Sequence, residues 1–381
     1  MLFRSDTSRT GLFVLVVSAR DDAFVPDPSP DYVLFRAIDP KFERDVLLLS
    51  HGIYNPNAAL AVPTCTPQDV DAIHPDCVHA FWKRIGDTIN QVAPRGWDYD
   101  HDWAEVNEQN PTEITLPDGT LDTTACRLFL DPPGVHRPNC YMNGPTLDVL
   151  ARHRLVIYNH EDMDVPISKG GIDQVLAQYL DIGGMLWLVD RSPFMLGTEV
   201  GGGSRVIDYS SDPDFRGRWP TQYFDIEGLW FPAWRNGLNI DATKVKSNDE
   251  FVGAYLEPGF SNLPDSVQID KEHLDSSFVK IFRKALQSQT PPKNINGVPG
   301  VPFALRGSRS LTVYRFLSWR PELNNAQGAV VMSRFVGPDR ANPKFKTAWL
   351  GCPLYFIQEE DAKKMVAGML DWFLIQPLEV L

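Results

Sequence analysis

The sequence has few basic side chains relative to its acidic ones, and it contains no long apolar run. Its 36 Lys and Arg residues are outnumbered by 49 Asp and Glu residues, which gives a formal net charge of −13. Because nucleic-acid binding depends on cationic groups that neutralise phosphates, this charge argues against nucleic acid as a partner. No run of about 18 apolar residues is present, so the sequence predicts no transmembrane helix and no membrane insertion.

Cysteine is also scarce, with five in 381 residues. None has the Cys/His spacing of a zinc site. Our leading prediction includes no metal site and no cofactor. Cys65 and Cys77 lie in one loop-like stretch, and Cys126 and Cys140 lie in another. Short-range pairs of this kind are typical of disulfides in an oxidising compartment. We therefore predict pairs 65–77 and 126–140, an extracellular or cell-surface location, and a buried Cys352 thiol.

Apolar patterns alternate between strand-like and helix-like segments along most of the chain. Short apolar runs predict buried strands, and apolar residues at helical spacing predict helices that pack against them. Gly183 and Gly184 predict the end of one helix, and Ser168 predicts its N-cap. This rhythm favours an α/β fold with an open, mostly parallel sheet and helices on both faces. The predicted strands are 45–50, 97–100, 154–159, 185–189, 311–317, 329–335 and 346–350; the predicted helices are 77–92, 145–150, 168–182, 272–287 and 359–374.

The first 40 residues carry a different pattern. Residues 13–17 and 32–35 predict two strands separated by a Pro-rich turn. Two strands cannot bury a core alone, so we expect the chain to begin inside a larger protein. The segment resembles the closing strands of immunoglobulin-like or fibronectin type III modules, at Phe13, Val17, Ala19, Arg20, Asp21, Asp27, Pro28 and Pro30. The resemblance implies that 1–40 are the tail of a truncated surface module, with adjacent modules as partners.

Several motifs in the rest of the chain resemble the class I glutamine amidotransferase-like superfamily of large secreted bacterial proteins. The segments that carry the resemblance are DVLLLSHG from residue 45, PTLDVLARHRLVIYN from 145, QVLAQYLDIGGMLWLV from 174 and FKTAWLGCPLYF from 345. The resemblance implies a doubly wound, flavodoxin-like domain over 41–381, with an insertion at about 197–340.

The chain departs from that superfamily where its chemistry should be. A working amidotransferase has a Cys in a G-x-C-x-G elbow after a strand like 185–189, whereas this chain has VDRSP at 189–193. The late His-x-Glu pair is also missing from 340–375. We therefore predict a non-catalytic domain with a binding or structural role, and a hydrolase if the chain is an enzyme at all.

Polar residues follow three of the predicted strands. Because ligands in doubly wound folds sit at the carboxyl ends of strands, these residues should lie near one another. As a hydrolase, the chain would use Ser192 as nucleophile, His51 or His160 as base, and Asp190 to orient the base. A metal site from His160, Asp190 and neighbouring acids is one alternative, and simple capping of the next helix is another. The candidate ligand-binding residues here are Asn159, Glu161, Asp162 and Arg191.

Two further features have competing interpretations. Aromatic residues cluster between 219 and 234 and could stack against a carbohydrate, with Trp230 and Trp234 as candidate binding residues. The alternative is that the cluster, which also includes Trp219, Tyr223, Phe224 and Phe231, forms a core or lid. The acidic run at 98–102 predicts a solvated loop after a strand.

Overall fold

The computed structural model describes 11–17, 31–37, 40–51, 77–107, 114–115, 121–122, 140–142, 145–160, 172–190, 205–209, 215–231, 251–274, 297–298, 301–319, 321, 326–338 and 343–377. Its helices are α1 (Cys77–Val92), α2 (Tyr99–Asp102), α3 (Leu147–Leu150), α4 (Ile172–Asp181), α5 (Phe215–Phe224) and α6 (Glu359–Leu370). A π-helical turn, Asp371–Ile375, continues α6, and a short 3₁₀ turn spans Leu354–Phe356.

The strands follow the chain from β1 to β17. They are β1 (Gly11–Val17), β2 (Asp31–Ala37), β3 (Arg44–His51), β4 (Trp103–Asn107), β5 (Ile114–Thr115), β6 (Leu121–Asp122), β7 (Cys140–Met142), β8 (His153–His160), β9 (Met185–Asp190), β10 (Arg205–Asp208), β11 (Ile226–Phe231), β12 (Phe251–Leu256), β13 (Ser266–Gln268), β14 (Phe303–Arg306), β15 (Leu311–Ser318), β16 (Val330–Pro338) and β17 (Pro343–Leu350).

One large mixed sheet organises the described chain. Six neighbouring strands, in the order β7-β4-β3-β8-β9-β17, pair in parallel. Beyond β17 the sheet continues with antiparallel strands β16, β14, β11 and β10, and β12, β13 and β15 attach beside β16. The predicted α/β class is therefore confirmed, although the sheet is mixed and only six of its neighbouring strands are parallel. The described strands between 197 and 340 extend the same sheet.

The strand order places a reversal in the middle of the parallel part. In chain order the six strands lie third, second, first, fourth, fifth and sixth. The flavodoxin-like order is second, first, third, fourth, fifth, and it is not confirmed because two strands, β4 and β7, follow β3 outward. The chain then returns to the other side of β3 to form β8. The switch between β3 and β8 is the point where such sheets open a crevice at their carboxyl ends.

Helices cover both faces of the parallel strands. On one face, α1 contributes Phe81, Trp82, Ile85 and Ile89 and packs beside α6 over alternate residues of β3, β8 and β9. On the other face, α4 and α5 pack over the intervening residues. The helical spacing of the α1 side chains lets one stripe enter the core, where each large apolar group contributes about 1.5–3 kcal/mol.

The end of α4 follows the glycine pair as predicted. The helix ends at Asp181, and Gly183 has a φ of +96°, which suits a residue without a Cβ. A Cβ on Gly184 would lie 2.3 Å from the ring of Tyr179, so the chain can enter β9 here only without a side chain. The predicted N-cap, Ser168, lies outside the described residues.

One predicted strand is wrong. Residues 97–100 were expected to be the second strand, but Tyr99–Asp102 form the short helix α2 and the strand begins at Trp103. The acidic run was expected to be solvated, yet Asp102 is buried. An ionic contact between distant segments, described below, holds this residue inside.

At the N-terminus, β1 and β2 pair antiparallel in a separate two-stranded sheet, which agrees with the two predicted strands. Their assignment to an immunoglobulin-like or fibronectin type III module stays a prediction, as does the boundary at residue 40. Of the predicted helix at 272–287, the structure describes helical residues 271–274.

Candidate site at the carboxyl edge of the sheet

The structure brings three of the candidate catalytic positions into one row. His51 is the register partner of His160, and His160 is the register partner of Asp190, at the carboxyl ends of β3, β8 and β9. Neighbouring strands lie about 4.8 Å apart, so the three backbone positions span roughly 10 Å. The row lies across the switch point between β3 and β8, as the predicted clustering of strand-end residues requires.

A second row lies one residue earlier. Ser50 pairs in register with Asn159, and Asn159 pairs with Val189. The side chains of Ser50, Asn159 and Asp190 are buried. Buried polar side chains therefore form a layer at this edge of the sheet.

The next strand holds the backbone at Asp190 in place. Trp349 on β17 donates a hydrogen bond from its indole Nε1 to the carbonyl oxygen of Asp190, at 3.1 Å. Trp349 is itself buried in the core between α4 and the sheet. The carboxyl end of β9 is therefore fixed from the side away from His160.

Five of the candidate residues lie outside the described residues: Glu161, Asp162, Arg191, Ser192 and Trp234. Trp230 lies in β11, where it pairs with Val206 and Phe303. The hydrolase arrangement around Ser192 stays a prediction, as do the ligand-binding roles of these residues.

The opposite, amino edge of the sheet holds an ionic cluster that the sequence analysis missed. Arg44 donates from Nε to Oδ1 of Asp102 and from Nη2 to Oδ2, the second bond at 2.6 Å. His153 Nε2 lies 3.2 Å from the same Oδ1. Burial alone would raise the pKa of Asp102, but hydrogen bonds from His153, Arg44 and the Asp98 amide outweigh it and lower the pKa. The acidic run was misread because these partners start strands 50 or more residues away.

A second carboxylate at the amino edge is also paired. Asp45 is buried at the start of β3, accepts a hydrogen bond from the Arg95 amide at 2.7 Å, and contacts Arg154 Nη1 at 3.3 Å. A buried carboxylate that bonds to residues of two other segments links those segments together. We therefore assign the amino edge a structural role.

The aromatic cluster is largely core. Trp219, Tyr223 and Phe224 are buried on α5, and Trp219 and Tyr223 pack with ring centroids 5.1 Å apart. These three rings are not exposed, which contradicts a carbohydrate platform built from them and favours the core alternative. The roles of Trp230 and Trp234 stay predictions.

Cys352 is a buried thiol, as predicted, and lies directly after β17. Cys77 begins α1 and Cys140 begins β7, while Cys65 and Cys126 lie outside the described residues. The two disulfide pairs remain predictions. In the described ranges, no group of three or more His, Cys, Asp or Glu side chains is placed to hold a metal ion.

Comparison with known proteins yields little. No family model matches the chain, and no curated protein sequence matches it. A similar solved structure is the mmIFT52 N-terminal domain, with a TM-score of 0.30 and 10% identity, covering 64% of this chain and 87% of that chain. A TM-score this low carries no argument about fold or function. Within the part of the chain that the structure describes, no helix is both long and apolar enough to cross a membrane.

Proposed function

We propose that the chain is a non-catalytic, amidotransferase-like domain of a secreted or cell-surface multidomain protein, and that it binds a polar ligand at the carboxyl edge of its sheet. The observation that carries the proposal is the register row of His51, His160 and Asp190 across the switch point. Imidazole, carboxylate and amide groups pair with hydroxyls, so a carbohydrate of the cell surface is the ligand class we propose.

The rest of the proposal has separate support. Helices on both faces of the parallel strands and the reversal between β3 and β8 support a doubly wound core, which is the architecture that the amidotransferase-like resemblance implies. The hairpin of β1 and β2, with its resemblance to surface modules, supports adjacent modules as partners and an extracellular or cell-surface location. The proposed disulfides, 65–77 and 126–140, fit an extracellular location because disulfides form in oxidising compartments.

The test is a binding screen on purified chain with mono- and disaccharides and amino sugars, read by thermal shift and confirmed by calorimetry. We expect at least one sugar to bind, and we expect the double variant His51→Ala/His160→Ala to weaken that binding by about tenfold or more. Each lost hydrogen bond to a ligand hydroxyl removes affinity, and about 1.4 kcal/mol corresponds to a factor of ten.

His101→Ala is the matched control, because His101 is an exposed imidazole at the opposite edge of the same sheet. It should leave sugar affinity unchanged. Binding that survives in the double variant, or that His101→Ala weakens equally, would contradict a site at the carboxyl edge. The absence of binding to every sugar would reject the ligand class.

A hydrolase is the second candidate function. The favouring observation is that His160 and Asp190 are register partners, and Ser192 follows Asp190 by two residues. A base beside a carboxylate and near a hydroxyl is the arrangement that activates a serine nucleophile. The missing glycines of an elbow at 189–193 make this the weaker proposal.

A screen with p-nitrophenyl esters and amides tests the hydrolase. If the chain is a hydrolase, Ser192→Ala and His160→Ala should each lower kcat by about a hundredfold or more. Ser261→Ala, at an exposed loop serine, should change nothing. Turnover that Ser192→Ala does not reduce would remove Ser192 as the nucleophile, and no turnover would leave the binding role alone.

A further inference from the structure

Arg334 occupies a position that its strand pattern reserves for an apolar side chain. Along β16 it alternates with Met332 and Val336, both of which pack into the core on the α1 and α6 face of the sheet. Side chains two residues apart on a strand share a face. A guanidinium is therefore held, half-buried, where a hydrophobic residue would be expected.

Two aromatic rings enclose this guanidinium. Its central carbon lies 4.3 Å from the ring centroid of Phe260 and 5.0 Å from that of Trp372. Phe260 comes from the turn after β12, and Trp372 comes from the π-helical turn after α6. Aromatic faces attract a cation, but they leave the hydrogen-bonding edge of the guanidinium unused.

Arg334 has no anionic partner in the described structure. None of the described residues accepts a hydrogen bond from it, and its Nε is buried without an acceptor. Burial lowers the pKa of Arg334 to about 10, so the side chain still carries its charge at neutral pH. A buried donor without a partner costs about 1–3 kcal/mol, so the position of Arg334 is unfavourable for an unliganded guanidinium.

A second cation lies beside the same ring. Lys346 Nζ is 5.3 Å from the Trp372 centroid and donates to the carbonyl oxygens of Trp372, Phe373 and Gln376. Burial, and then the charge of Arg334, lower the pKa of Lys346 to about 8. Its hydrogens are used by the carbonyls, so it adds positive charge to the neighbourhood of Arg334 rather than a further binding group.

Asp371, whose charge acts on Lys346, already accepts two hydrogen bonds. Asp371 Oδ2 accepts hydrogen bonds from the side-chain amides of Asn262 and Gln376, at 2.9 and 2.8 Å. Its charge raises the pKa of Lys346, but this is the smallest of the influences on that pKa. Arg334 and Lys346 therefore lie close together in a chain of net charge −13, and none of the described carboxylates pairs with Arg334.

A comparable arginine elsewhere in the molecule shows what is missing. Arg309 stacks over Phe335 at 5.0 Å, and its Nε donates to Asp225 Oδ1 at 3.1 Å. The Arg309 and Ser310 amides donate to the same carboxylate at 2.8 and 2.7 Å. Arg309 therefore has both an aromatic face and a carboxylate, whereas Arg334 has only the faces.

We propose that Arg334, enclosed by Phe260 and Trp372 and reinforced by the charge of Lys346, is a binding site for a small oxyanion group, either a phosphate or a carboxylate. The planar fork of a guanidinium matches two oxygens of such a group. Nε is the nitrogen of Arg334 that is buried without a partner, so the anion would bind at the two terminal nitrogens of the guanidinium. This site is separate from the carboxyl-edge site and does not depend on it.

The probes are inorganic phosphate and acetate, compared with sodium chloride at equal ionic strength and pH 7. Phosphate stabilises most proteins by exclusion from their surface, so the informative quantity is the difference between variants. We expect Arg334→Met, which keeps an apolar stem between the rings, to lose the specific stabilisation and to weaken calorimetric affinity about tenfold. Whichever probe binds the wild type more tightly identifies the class of oxyanion.

Arg309→Met is the matched control, because it removes an aromatic-stacked arginine that already has a carboxylate. It should leave the anion response intact. If Arg334→Met does not fold, Lys346→Met replaces it and should weaken anion affinity several-fold by removing the neighbouring charge. Equal anion responses in the wild type and the folded variant, or no anion binding to the wild type, would overturn the proposal.

Discussion

The two edges of the parallel sheet differ in how their polar groups are used. At the amino edge, the Asp102 carboxylate contacts Arg44 and His153, and the Asp45 carboxylate contacts Arg154, so both buried carboxylates are paired with side chains of neighbouring elements. At the carboxyl edge, polar positions stand side by side in register, across the switch point. The same residue types hold elements of the fold together at one edge, whereas at the other edge they lie in register across the switch point, where we propose that a ligand binds.

The amino edge also holds the end of the C-terminal helix. Arg154 Nη2 donates to the carbonyl oxygen of Leu374 at 3.1 Å, and Lys346 donates to the carbonyls around it. A helix ends with unpaired carbonyl oxygens and a partial negative charge, so cations are favoured there. Two strands are thereby tied to α6 through its π-helical turn.

The largest expected effect comes from removing the buried Asp102 carboxylate at the amino edge. Asp102→Asn should lower the free energy of unfolding by about 3 kcal/mol, because it leaves the Arg44 and His153 pair without its buried charge. Urea denaturation measures the change. Asp98→Asn, at the exposed carboxylate of the same acidic run, should cost no more than about 0.5 kcal/mol.

The same variant has a pH signature. The pKa of Asp102 is lower in the folded state than its ordinary value of 3.8. Its stabilising contribution is therefore present above pH 3.8 and is lost as the pH falls through the folded-state pKa. The gap between wild type and Asp102→Asn should narrow in acid; a gap that stays constant down to pH 2 would contradict the pairing.

A smaller expected effect is the pH dependence of stability that comes from Lys346, near the amino edge. Its pKa is about 8 in the fold against an ordinary 10.5, so the unfolded chain binds more protons between these values. The contribution of Lys346 to stability therefore rises as the pH increases from 8 to 10.5. Lys346→Met should lack this rise, which pH-dependent denaturation would detect.

Lys344 supplies the control, since it lies two residues earlier on β17 and is exposed. Lys344→Met should keep the wild-type pH dependence. If Lys346→Met and Lys344→Met follow the same curve, the buried ammonium is not what shapes stability in this range.

Much of the secondary structure could be predicted because it follows local patterns. The helical spacing of apolar residues placed α1 at 77–92, and apolar runs placed β3, β8 and β9 within a residue or two of their observed ends. The predicted strand at 97–100 was wrong. The acidic run was wrongly predicted to be solvated because a local pattern cannot show that Arg44 and His153 will bury Asp102.

The carboxyl-edge site was only partly predictable. Strand ends could be marked from apolar runs, so His51, His160 and Asp190 were candidates from the sequence. Their common row could not be known, because it depends on which strands are neighbours. Arg334 was missed, although its alternation with Met332 and Val336 was a usable signal of a cation on a core-facing position.

The sequence by itself determined the positions of α1, α4, α6, β3, β8 and β9, the end of α4 at Gly183 and Gly184, and the buried thiol of Cys352. These features depend on side-chain spacing and backbone freedom over a few residues. Only the tertiary structure decided the strand order, the register of His51 with His160 and Asp190, the burial of Asp102 and the enclosure of Arg334 by Phe260 and Trp372. Each of these joins segments far apart in the chain, and such contacts are selected by packing and charge pairing over the whole fold.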